Sequence, residues 1–158
     1  MTKLKESIVL KMQNLFCLSF FLGITSIFAQ LDGSKYNVAM KEYSKALHDE
    51  CVKQHKVTDD DIWKVRTGIF DDNNHEMKNY ILCLWRESGS MDLSTFRLSK
   101  ILLDVYMPEE VHKGDGTNMY LECAGKGREL PAGTALQDRI WVFMKCAQQA
   151  DPVNFVMF

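Results

Sequence analysis

Apolar side chains recur at steps of three and four along most of this chain, and alternating strand patterns are hard to find. Tyr36, Met40, Tyr43, Leu47 and Cys51 fall on one face of a predicted first helix. Thr58 followed by Asp59, Asp60 and Asp61 reads as a helix start, a hydroxyl cap ahead of acids at the positive end of the dipole. That second helix is short, carries Ile62, Trp63 and Val65, and should end near Gly68. Asp71, Asp72, Asn73 and Asn74 form a turn and cap before a third helix with a wide apolar face: Met77, Tyr80, Ile81, Cys83, Leu84 and Trp85. Gly89 closes it.

The spacing predicts a fourth helix from Asp92 or Ser94, with Leu98, Ile101, Leu102 and Val105 sharing a face and Pro108 marking its end. Lys113, Gly114, Asp115 and Gly116 read as a turn. A short fifth helix holds Met119 and Tyr120 and ends at Cys123, because Gly125 to Gly133 is rich in breakers. From about Thr134, the series Leu136, Ile140, Phe143, Met144 and Ala147 marks a sixth helix, which Asp151 and Pro152 terminate. The apolar tail Val153 to Phe158 should fold back onto something. The pattern is that of an all-α fold, a compact bundle of about six helices.

The first residues change how the cysteines are read. Lys3, Lys5 and Lys11 give a basic start, Leu15 to Phe28 is almost wholly apolar, and Ala29 supplies a small residue for cleavage before Gln30. Residues 1–29 are therefore expected to be a secretory signal peptide and residues 30–158 the mature, extracellular domain. The apolar run of roughly 14 residues falls short of a membrane span, so no stable membrane insertion is expected. Cys17 leaves with the leader, and Cys51, Cys83, Cys123 and Cys146 remain, an even number in an oxidising compartment. Removing Lys3, Lys5, Lys11 and Glu6 from the chain's 19 basic and 21 acidic side chains leaves 16 and 20, a net charge of −4. Such a surface should stay off nucleic acid and anionic membranes.

Composition and spacing alone allow three pairings of the four cysteines. Their positions between helices resemble those of the insect odorant-binding proteins, the pheromone and general odorant-binding family, over essentially all of residues 30–158. Family members share six helices and six cysteines, with three residues between the second and third cysteine and eight between the fifth and sixth. Counting back from Cys83 and Cys146 puts Asn79 and Gln137 at the second and fifth positions. The stretch Asn79 to Trp85, then Ser90, Met91 and Asp92, and the 39 residues between Cys83 and Cys123 also fit.

The two absent cysteines are partners in the family. The resemblance thus implies Cys51 with Cys83 and Cys123 with Cys146, and places the chain in the four-cysteine "minus-C" subgroup. Each ring is worth about 3 to 4 kcal/mol in the chain-entropy model. Losing the third bridge, from helix three to helix six, should make the interior more adaptable than in six-cysteine relatives.

A stapled bundle with an internal apolar cavity can take a small hydrophobic molecule, each buried methylene contributing about 0.8 kcal/mol. Met and aromatic side chains suit an adaptable pocket. The candidate lining is Tyr80, Leu84, Leu98, Leu102, Tyr120, Ile140, Phe143 and Met144, with Phe155 and Phe158 from the tail. The resemblance adds that the tail covers the pocket mouth, and that the ligand is an odorant or pheromone carried in extracellular fluid. A second copy of the chain or a membrane receptor are the further partners it implies. The competing reading is a surface-acting structural or signalling protein of the same fold with no transported ligand.

Catalysis finds little support. His48, Asp49 and Cys51 form an HDxC string similar to that of secreted phospholipases A2, but Ser44 and Lys45 stand where that motif needs a cysteine, and no Gly-rich calcium loop precedes it. No HExxH or GxSxG occurs, paired cysteines neither attack nor ligate, and Asp59 to Asp61 lack the Gly and Glu of a calcium loop. No enzyme, cofactor or metal is expected. His48, His55, His75 and His112 can change charge between neutral and mildly acidic pH. The resemblance ties such a change to ligand release near a membrane; solvent-exposed histidines uncoupled from ligand are the plainer alternative.

Overall fold

Thr58 heads its helix as its position before three aspartates requires. Its hydroxyl accepts the Asp61 N–H at 3.2 Å while the Asp61 carboxylate accepts the Thr58 N–H at 3.0 Å, a reciprocal box that satisfies two helix-end donors. Asn74 caps the next helix one way only, its side-chain oxygen accepting the Met77 N–H at 2.9 Å. In the computed structural model, residues 36, 38–109, 111 and 115–157 are described. They form six helices: α1 Val38–Gln54, α2 Asp59–Arg66, α3 His75–Glu87, α4 Lys100–Tyr106, α5 Gly116–Arg128 and α6 Leu136–Ala150. The expected leader, His112 and Phe158 lie outside the described residues.

α6 is the hub of the packing, lying against α5 and α3, while α1 packs on α3. The core sits among these four helices. Every residue from Tyr80 to Trp85 is buried, so α3 is enclosed on all sides at its centre. Two disulfides staple the arrangement: Cys51–Cys83 joins α1 to α3 and Cys123–Cys146 joins α5 to α6. That is the pairing implied by the resemblance.

The segment before α4 departs from expectation. Met91–Asp92 (β1) pairs antiparallel with Arg97–Leu98 (β2), and the helix begins only at Lys100, capped by Ser99. Asp92 decides this. Its carboxylate accepts the Ser94 N–H and the Ser94 and Thr95 hydroxyls at 2.7 to 2.9 Å, closing a turn that competes with helix initiation. Leu98 consequently lies on a strand. The face of α4 also differs: Leu103 is fully buried, while Ile101 and Val105 are 77% and 61% exposed. Lys100 and Asp104 pair on one solvent-facing side of this seven-residue helix, and the side left to the core is the one that carries Leu103.

α5 differs too. It runs through Gly125 and Gly127 to Arg128, so Cys123 sits inside it rather than at its end. Gly127 is there for proximity: a Cβ would stand 2.5 Å from the buried Phe96 ring and 2.7 Å from the Arg139 carbonyl oxygen. Helix, hairpin and α6 meet at a point where only a hydrogen fits. Arg139 completes the junction, its guanidinium donating to the carbonyls of Gly127, Arg128, Leu130 and Pro131 and its Nε to Thr134, so the end of α5 and the loop that follows are held by one side chain.

Candidate functional site

α3 and α6 pack against each other, α5 packs on α6, and Phe155, Val156 and Met157 are buried in the same core. Tyr80 and Leu84 from α3, Tyr120 from α5, and Ile140, Phe143 and Met144 from α6 are each essentially inaccessible to solvent, and Phe155 from the tail is buried with them. All seven belong to one apolar core. Phe143 is the centre of its aromatic part: the Trp85 ring meets it edge-on at 5.0 Å and the Tyr120 ring at 6.1 Å. Leu98 is half-buried and packs on this core from β2, and Leu102 is half-buried on α4. Phe158, the tenth candidate, lies outside the described residues.

Three polar groups point into this apolar seam, and all three are partnered. The Tyr80 hydroxyl is hydrogen-bonded to His48 Nδ1 at 2.8 Å, linking α3 to α1 beside the Cys51–Cys83 staple. The Trp85 indole N–H donates to the Met144 sulfur at 3.2 Å. The Tyr120 hydroxyl accepts the Val156 N–H at 2.6 Å and donates to the Val156 carbonyl oxygen at 3.2 Å.

That last pair hangs the tail. Phe155, Val156 and Met157 are buried, and Val153 marks where the tail leaves solvent. Burial pushes the Tyr80 phenol up to about 12, with Arg66 acting weakly the other way, and pushes Tyr120 higher still against the pull of the Val156 backbone. Both phenols stay neutral hydrogen-bonding groups at any physiological pH.

Sequence reasoning missed four residues of this region. Trp85 and Leu103 are as deeply buried as any chosen candidate, Phe96 fills the notch at Gly127, and Val156 holds Tyr120 through its backbone. The six-residue apolar run to Trp85 was a usable signal for the first. Backbone partnership at Val156 has no sequence signature. Among the described residues, no group of three or more His, Cys, Asp or Glu side chains could hold a metal ion, and no helix is long and apolar enough to cross a membrane. His48 serves Tyr80, His55 lies 3.8 Å from Glu76, and His75 begins α3.

A helical bundle with two crosslinks, a deep aromatic seam and an inward-folded tail defines the class of small disulfide-stapled, all-α proteins to which odorant-binding proteins belong. The model of the PBP/GOBP family matches residues 33–150, and this chain belongs to that family. Among solved structures, the chain is similar to odorant binding protein 4 of the natural predator Chrysopa pallens, with 18% identity, a TM-score of 0.56, and coverage of 77% of this chain and 98% of that one. At that identity the likeness concerns the fold. No curated protein sequence matches the chain.

Proposed function

We propose that the protein is a secreted carrier that solubilises a small hydrophobic molecule, an odorant or pheromone, in extracellular fluid. Residues 1–29 act as the signal peptide, and with four cysteines the mature chain falls in the minus-C subgroup. The observation that carries the reading is the tail: three apolar residues at a chain end are buried against a fully enclosed aromatic seam and held by a single hydroxyl. A segment attached this way can withdraw and readmit a guest without disturbing the two crosslinked helix pairs. Tyr80, Leu84, Tyr120, Ile140, Phe143, Met144 and Phe155 supply the contact surface, with Leu98 and Leu102 at its margin. Binding needs no catalytic group.

Titration with a fluorescent apolar probe such as phenylnaphthylamine tests this. The proposal expects micromolar binding and displacement by fatty alcohols or hydrocarbons. One observation favours the alternative of a surface-acting protein: Ile101 and Val105, one turn apart on α4, are both largely exposed. Failure of many probes together with concentration-dependent dimerisation would select that reading.

A further inference from the structure

We infer that the Tyr120 hydroxyl sorts ligands by chemistry, releasing the C-terminal tail for guests that carry a hydroxyl or carbonyl oxygen and retaining it for pure hydrocarbons. This rests on the carrier reading above.

The geometry supplies the reason. Tyr120 is wholly buried, and its hydroxyl spends its one donor and one of its lone pairs on Val156, through the carbonyl and the N–H of that residue. The other tail hydrogen bonds among the described residues are local, Asn154 to the Asp151 carboxylate, so the Val156 pair is the tie between the tail and the helices. In apolar surroundings a phenol cannot be left unpaired without a penalty of about 1 to 3 kcal/mol. A hydrocarbon has nothing to offer it. It must therefore bind with Val156 still in place.

A ligand oxygen can take over the hydroxyl. When Val156 leaves the buried seam its freed N–H and carbonyl can turn to water, and the exchange of one hydrogen-bonded pair for another is close to even. Two consequences follow. In the native chain, affinity should differ little between an alcohol and a hydrocarbon of equal length, but the tail should be docked with one and loose with the other. Once Val156 can no longer donate, the hydroxyl keeps only its longer bond to the Val156 carbonyl, which an alcohol can replace while also donating to the vacated lone pair, so the alcohol alone should gain.

The experiment uses the oxidised protein with dodecanol and dodecane, each shown to displace phenylnaphthylamine, and follows hydrogen exchange at the Val156 amide. Dodecanol is expected to speed that exchange at least about ten-fold relative to dodecane. In Tyr120→Phe the amide should exchange fast with either ligand and the difference should vanish. Val156→Pro, which removes the donor and leaves Tyr120 intact, should raise dodecanol affinity about ten-fold and leave dodecane unchanged. Equal Val156 exchange with both ligands, or an equal affinity change for both in Val156→Pro, overturns the sorting role and leaves the carrier reading standing. Failure of the probe to bind at all overturns both.

Discussion

The Lys78 ammonium lies 2.8 Å from the Asp138 carboxylate, joining α3 to α6 one residue before Asn79 and one residue after Gln137. Those are the two positions where the resemblance places a third cysteine pair. The chain thus carries an ion pair beside the place where six-cysteine relatives carry a covalent tie. Lys78 also stands 5.9 Å from the centre of the Trp141 ring, and Trp141 in turn donates to Asp72 at 2.7 Å, tying the loop before α3 to the same helix.

The pair is lopsided: the Lys78 side chain is 9% exposed and that of Asp138 45%. Removing the carboxylate strands a buried ammonium, whereas removing the ammonium leaves a carboxylate that water can reach. Asp138→Asn should cost about 1 to 3 kcal/mol, and Lys78→Met less than about 1. Urea unfolding of the two variants checks this, and equal losses would contradict it.

Two glycines of α5 should answer oppositely to the same change. Gly125→Ala meets only the Arg128 guanidinium at 3.6 Å, an ordinary contact, so the helix should gain up to about 1 kcal/mol from reduced backbone freedom. Gly127→Ala drives a methyl into Phe96 and the Arg139 carbonyl and should lose about 1 to 3 kcal/mol despite the same propensity gain. Thermal melts of both variants report the sign of each.

Acid should loosen the fold. Asp61 is held below the ordinary carboxylate range by the Thr58 hydroxyl and N–H, and Asp72 by Lys145 and then Trp141. Asp92 is pushed down to about 2 by the Ser94 and Thr95 hydroxyls. A folded value below the unfolded one means the stabilisation is fully present above the unfolded value of about 3.9 and disappears as pH falls through the folded value. Denaturant midpoints should hold steady from neutral pH to about 5 and fall between about 4 and 2. Asp72→Asn should flatten part of that slope. A midpoint that climbs over the acid interval would contradict the assignment.

Caps and long periodic faces were legible before any coordinates. Thr58 and Asn74 cap their helices as expected, and Ile140, Phe143, Met144 and Ala147 form the expected buried face of α6, although Leu136 at its head is exposed. Where one residue type serves two local motifs, the pattern misleads. Asp92 and Ser94 fit a helix start as well as they fit a turn, and the pairing of Met91 with Leu98 settled the choice. Gly125 and Gly127 look like breakers until a neighbouring helix and Phe96 require close approach. The seam from Tyr80 to Met144 could be read from apolar periodicity, but the latch between Tyr120 and Val156 depends on where a backbone amide arrives.

Native mass spectrometry of the oxidised, secreted protein, followed by extraction of whatever it retained, puts the carrier reading to its most direct test. The account predicts a population heavier than the bare chain by one small apolar molecule, lost on reduction of both disulfides. A single bare mass that stays unchanged after incubation with excess fatty alcohols and hydrocarbons would contradict it.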